Sequence, residues 1–432
     1  MPCRLPTRLL LSFLVSFLVL VLAAFPAAAD APPPAVASVV GAYAGEGPHE
    51  LLVISPRAMG NQRILVLTDL GTGAIRALFP AVAAADEAAE PSWPWVAGET
   101  LRSPEPPAFR LRFEGAEEER PTGLAIEDVT TGAVWRARRV PLRTEEVQIR
   151  RDGLSLRGTL HLPSAAPPGS IPGIVLAPGS EDEGTRHSLD ALPYVLVREG
   201  FAVLAVDKRG TGASEGSWDV DHDTLADDLV AWIEWLAARP ELDGRIGVFG
   251  FSEGGWIAPL AASRTEEIDF IAVSGGGALP KSASFLHQAG KRLEEEGLQG
   301  KELERAMNEK RSFIEASADR AADGAEATPF DLRMAHDPAP EWRRFRGPVL
   351  WMIGEDDALV PPRASAERMR EVLARAGHPD HTVRLFPRAT HGMFRSVTGA
   401  PSEFFGMEGL GELAPGYWET LLRWLDTRVA RR

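Results

Sequence analysis

The chain has 432 residues, 44% of them hydrophobic and 25% charged, with a formal net charge of -15. This length allows two or three domains and a large core, and the composition excludes collagen, coiled coil and wholesale disorder. So acidic a balance argues against nucleic acid and anionic membrane surfaces as partners.

Residues 1–29 read as a secretory signal. Arg4 and Arg8 supply the positive end, 9–25 is an apolar run, and Ala27-Ala28-Ala29 offers a small-residue cleavage site before Asp30. The run approaches spanning length, so a retained anchor is the rival reading. Small residues and no basic stop-transfer cluster follow it, which favours cleavage near Ala29. The expectation is an exported protein, periplasmic or extracellular, with no stable membrane insertion. Cys3, the one cysteine, lies inside this signal. The remaining chain has no thiol for a disulfide, a metal site or a nucleophile.

Residues 30–37 form a Pro/Ala linker. Over 38–142 the sequence reads as a small all-β domain. The runs 51–54, 64–67, 109–113 and 134–137 are strand-like, and Gly71-Thr72-Gly73 and Thr131-Gly132 mark turns. No Ser/His/Asp constellation falls here, so packing against its neighbour or shaping it sterically is the expected role, with ligand binding as the rival reading.

Over 143–432 strands and helices alternate. The segments 147–149 and 154–162 open as an antiparallel pair. The runs 173–177 and 201–206 are continuously apolar, as in strands buried on both faces. A helix is expected over 224–239, capped by Thr224 and stopped by Pro240. Further strands are expected at 245–249, 269–273, 348–353 and 382–386. This rhythm predicts a mostly parallel, doubly wound α/β sheet. One stretch, 278–345, contains no strand. Its part 281–318 is charged and helical, so a helical lid inserted over the site is expected, with a solvated decoration as the alternative.

The chemistry centres on Gly250-Phe251-Ser252-Glu253-Gly254, a G-x-S-x-G string directly after a strand and before a helix. In that context it is a nucleophile elbow, with Ser252 raised on a sharp turn. A serine hydroxyl needs a base, and the order in this fold is Ser, acid, His. Past the strand 348–353 three acids compete. Asp357 fits best, Asp356 next and Glu355 last. The base is His391, in the short loop after the last strand. His378 and His381 fall before or at the start of that strand and read as surface residues. The oxyanion hole needs two backbone N–H groups. Glu253 supplies one, and the loop Pro178-Gly179-Ser180 the other; proline has no N–H, so the expected donor is Ser180, with Gly179 as the alternative. Only these amides are expected to matter, not the side chains.

The loop Asp207-Lys208-Arg209-Gly210-Thr211-Gly212 lacks a full dinucleotide fingerprint and opens no helix. It reads as structural, with Asp207 and Arg209 in buried polar contacts. No metal constellation appears and the chemistry calls for no cofactor. Trp218, Trp256, Trp342 and Trp351 read as core, with lining of an acyl pocket as the alternative for some of them.

Together, 175–214, 247–260 and 354–361 resemble the bacterial α/β-hydrolase esterases, grouped with dienelactone-hydrolase-like and serine-aminopeptidase-like proteins. One branch carries an N-terminal β-domain and a G-S-G-P-x-D-R-D loop. Gly179-Ser180 matches that loop, whereas Glu181-Asp182-Glu183-Gly184 departs from it. The resemblance implies an α/β-hydrolase fold over about 145–430. It implies hydrolysis of a small carboxylic ester by water, with serine peptidase, aminopeptidase or thioesterase activity as the alternative. A non-catalytic binding protein on the same scaffold is a third reading, against which the complete, ordered triad argues.

Overall fold

The computed structural model describes residues 38–430, apart from 60–61, 82–92, 103, 116–119, 183–185, 187–188, 190, 325 and 407–408. The expected signal and linker therefore lie outside the described residues.

The chain first forms eight strands: β1 (Gly41–Ala44), β2 (Leu51–Met59), β3 (Gln62–Asp69), β4 (Ile75–Pro80), β5 (Trp95–Gly98), β6 (Pro107–Glu114), β7 (Gly123–Asp128) and β8 (Val134–Arg139). Each pairs antiparallel with the next, and β1 closes on β8 through Tyr43 opposite Arg139. Closure into a barrel leaves no free edge. Leu51, Leu52, Val53 and Ile54 are all fully buried. Alternation explains this: Leu51 and Val53 meet Ala191 and Val195 of the following domain, while Leu52 and Ile54 point the other way, into the barrel. The four strand-like runs of the sequence fall on β2, β3, β6 and β8. The other four strands are four to six residues long, each with a Gly or Pro, and leave little alternation to read.

The second part runs β9 (Leu142–Arg151), β10 (Leu154–Pro163), β11 (Ile171–Ala177), α1 (Leu192–Arg198), β12 (Ala202–Val206), α2 (His222–Ala237), β13 (Leu242–Phe251), α3 (Gly254–Ala262) and β14 (Phe270–Ser274). Four helices follow: α4 (Lys281–Glu295), α5 (Gly300–Asp323), α6 (Pro329–Ala335) and α7 (Ala339–Arg344). Then come β15 (Val349–Gly354), α8 (Pro362–Arg375), β16 (His381–Phe386), α9 (Pro401–Gly406) and α10 (Tyr417–Leu425). The sheet order is β16-β15-β14-β13-β11-β12-β10-β9. The strands β11 to β16 are parallel, and the β9–β10 pair joins antiparallel through β10 against β12. One core, on Trp232, Trp256, Trp342 and Trp351, covers one face; a second, on Phe201, Phe249, Phe270 and Trp424, covers the other.

From β11 the chain moves to β12 on one side, then returns to β13 on the other. That reversal is a topological switch point, where loops at the carboxyl ends of the strands part and leave a crevice. The loop after β11 and the turn after β13 both open there.

Two expectations change. The helix over α2 is capped not by Thr224 but by Asp221, whose Oδ1 accepts from the Thr224 N–H at 2.7 Å. A carboxylate three residues upstream satisfies that orphan amide, so the helix starts earlier. His378 is not a surface residue: after the left-handed turn at Gly377 its ring is buried, 6.4 Å from that of Phe345.

Candidate active site

Ser252 sits at φ 49°, the left-handed region that L-residues rarely adopt. It persists because the turn is tied on both sides. The Ser252 N–H donates to the Ser274 carbonyl at 2.9 Å, and the Gly255 N–H to the Ser252 carbonyl at 2.9 Å. Gly254 is sterically required, since a Cβ there would lie 2.1 Å from the Ala177 carbonyl oxygen. The turn thus presses against the end of β11.

Asp357 and His391 are both buried, with His391 Nδ1 2.7 Å from Asp357 Oδ2. The other carboxylate oxygen accepts from the Leu359 and Val360 amides, each at 2.8 Å. Such a carboxylate fixes one imidazole tautomer and leaves Nε2 as the basic atom. His391 lies beside the Ser252 turn. Its ring is 5.4 Å from that of Phe251, and a Cβ on Gly275, next to Ser274, would lie 3.2 Å from its Cε1. Asp356 is half-buried and faces the backbone near Gly399.

On the oxyanion side, Glu253 opens α3 and Gly179 is buried against Ser252. A Cβ on Gly179 would lie 3.2 Å from Ser252 Cβ and 2.4 Å from Glu181 Oε2. Ser180 is exposed. The absence of a Gly179 side chain is what lets this loop approach Ser252.

The Glu253 side chain is not idle, contrary to the expectation that only its amide matters. Its carboxylate is buried, 3.1 Å from Lys208 Nζ and 3.4 Å from His222 Nε2. Burial alone would raise this carboxyl, but Lys208, His222 and Lys281 hold it well below the usual carboxylate range. His222 Nδ1 in turn meets His336 Nδ1 at 2.7 Å. Two facing imidazole nitrogens can share only one proton, so one accepts. Burial, with His222 and Arg264 adding to it, pulls His336 down to about 3. Lys281, half-buried, sits 4.3 Å over the Trp256 ring. His287 of α4 places Nε2 3.0 Å from the Asp357 carbonyl oxygen. Of the groups around Glu253, His222 and His336 carried no mark of their own, and Lys208 lay in a loop the sequence singled out. The loop around it holds the expected polar contacts: Arg209 grips Asp228 at 2.5 and 2.7 Å, and Asp207 accepts from Arg186 Nε at 2.8 Å. Trp256, Trp342 and Trp351 are core, whereas Trp218 is 39% exposed and donates to the Glu181 carbonyl. Among the described residues no group of three or more His, Cys, Asp or Glu is placed to hold a metal ion.

A mixed sheet with a strained serine at its switch point defines a serine hydrolase of the α/β-hydrolase type. The chain belongs to the X-Pro dipeptidyl-peptidase (S15) family, whose sequence profile matches residues 152–367. It is 33% identical over 150 residues to a Mycobacterium tuberculosis protein with a phosphoribosyl transferase name, covering 34% of this chain and 32% of that one. It is 33% identical over 106 residues to the cocaine esterase of a Rhodococcus species, covering 24% of this chain and 18% of that one. A solved esterase of Pyrococcus furiosus is similar over 66% of this chain and 91% of its own, at 20% identity and a TM-score of 0.45. The chain spans about a third of the length of the first curated relatives it matches.

Proposed function

We propose that the chain is an exported carboxylesterase working through an acyl-enzyme on Ser252. His391 takes the Ser252 proton as the hydroxyl attacks the ester carbonyl, and hands it to the departing alkoxide. Asp357 steadies the imidazolium, and the Glu253 amide together with that of Ser180 or Gly179 receives the oxyanion. Water, activated by His391, then releases the acid. One observation carries this reading: Ser252 strained at φ 49° beside a buried His391–Asp357 pair at 2.7 Å. An ester is preferred to an amide because an alkoxide leaves more easily than an amine. The esterase name of the Rhodococcus relative supports the same choice. Export is supported by the signal-like residues 1–29, and the helical insertion is taken as a lid over the acyl site.

The family description favours a second reading, a peptidase releasing dipeptides after proline. A panel of p-nitrophenyl acetate and butyrate against Xaa-Pro-p-nitroanilides separates the two. Esters are expected to have the higher kcat/KM, and Ser252→Ala to lose on the order of a million-fold in kcat with the fold intact. Anilides turned over faster than esters would replace the first reading by the second. Ser252→Ala within about tenfold of wild type would remove both, since that residue acts as a unit with its base.

A further inference from the structure

The barrel takes no part in the reaction described above, yet it is hydrogen-bonded, step by step, to the loop that carries His391. After His391 the chain reverses at Met393, which adopts φ 60°. The Thr390 N–H donates to the Phe394 carbonyl at 2.8 Å, and Ala389 pairs with Arg395. This turn is joined to the segment 410–414: Phe394 pairs with Leu413, the Ala414 N–H donates to the Met393 carbonyl at 2.8 Å, and the Arg395 N–H to that of Glu412 at 2.8 Å. The same segment is zipped to the barrel. Ala74 pairs with Glu412, the Leu413 N–H donates to the Gly73 carbonyl at 2.8 Å, the Ile75 N–H to that of Gly411 at 2.9 Å, and the Leu101 N–H to that of Leu410 at 2.6 Å. Beneath this ladder Phe394 and Leu410 pack in one buried cluster with Val66, Ile75 and Leu101 of the barrel.

We propose that the barrel is a positioning device for the base, with Phe394 and Leu101 as its positioning residues. A non-glycine residue at positive φ persists only where its surroundings over-determine it. Here the turn holding Met393 is fixed through segment 410–414, and that segment is fixed by the barrel. Without the barrel contact the histidine turn loses its outer wall, and a misplacement of about 1 Å at a catalytic group can cost about a hundredfold in rate. The proposal rests on His391 being the base. It assigns to the barrel a role in kcat rather than in substrate binding.

The test uses the full chain and p-nitrophenyl acetate. Phe394→Ala and Leu101→Ala trim the two sides of the contact, Phe394→Leu refills it, and Trp135→Ala on β8 perturbs the barrel away from β4. His391→Ala is measured in parallel, with circular dichroism on each variant. Both trimming variants are expected to lower kcat by about 10- to 100-fold with KM within about twofold, as a displaced catalytic group does. Phe394→Leu should restore most of the rate, and Trp135→Ala should leave it unchanged. Wild-type kcat in either folded trimming variant, with His391→Ala inactive, overturns the clamp and leaves the base standing. A kcat loss in Trp135→Ala equal to that of Phe394→Ala also overturns it, because the effect would then follow barrel stability alone. Turnover retained in His391→Ala overturns the base assignment instead, and the clamp with it.

Discussion

Asp357 has both oxygens of its carboxylate engaged. One oxygen faces His391, and the other takes two amides of its own turn. Its neighbour Asp356 makes none of these contacts. Replacing Asp357 by Asn is expected to present the wrong tautomer of the imidazole and to cost roughly 10⁴-fold in kcat, as loss of an orienting acid does. Asp356→Asn should stay close to wild type, and kcat/KM for both variants decides the register. The histidine pair beneath Glu253 has a different consequence. His336 carries a folded-state value near 3 against an ordinary 6.5, so the unfolded chain takes up a proton that the folded chain refuses. The stability tied to its neutral form is therefore complete above pH 6.5 and is lost as pH falls towards 3. His222 is lowered by burial and acts in the same direction. Melting temperatures of wild type and His336→Gln, taken in steps from pH 7.5 down to pH 4, should diverge: the wild-type decline is steeper, and parallel curves would remove His336 as its source.

Among the elements, the helical insertion is anchored at its roots and mostly exposed along α5. Lys281 and His336, at its two ends, join through the Lys281 N–H and the His336 carbonyl at 3.1 Å. His287 reaches the Asp357 loop and His336 reaches His222. By contrast α5 buries only Ile314 and Ser317, and its charged flank faces out. The left-handed Gly297 and Gly300 separate it from α4. Phe313 of α5 stacks with Phe285 of α4 and Phe330 of α6 at 6.1 and 5.7 Å while remaining 43% exposed. A lid with fixed roots can shape substrate binding without carrying chemistry. Replacing 298–326 by a short Gly/Ser linker should therefore change KM for long-chain p-nitrophenyl esters by several-fold, while turnover of the acetate stays within about twofold. An unchanged chain-length profile in the folded variant would make α5 a solvated decoration.

At the scale of the whole molecule, barrel and sheet share apolar surface as well as the ladder to the histidine loop. Ala42, Leu51 and Val53 of the barrel pack with Ala191 and Val195. No helix among the described residues is long and apolar enough to cross a membrane, and residues 38–430 contain no cysteine. Their stability comes from burial and hydrogen bonding without any covalent cross-link.

The doubly wound order, the sharp turn at Ser252 and the loops that carry Asp357 and His391 were legible because each leaves a local mark. A buried parallel strand is an apolar run, and a serine at φ 49° needs glycines around it. Helix starts were legible only to within a few residues, since the cap is Asp221 and not the expected Thr224. The rest depended on partners far apart in the chain. Glu253 meets His222 across 31 positions, and His222 meets His336 across 114. Nothing in the local pattern marks such a pair, because a buried polar side chain is tolerated only where folding delivers its partner. For the same reason the sequence by itself determined which serine stands on the elbow. Only the tertiary structure decided that the Glu253 side chain is bound, that His378 is buried, and that the barrel closes and reaches the turn of His391.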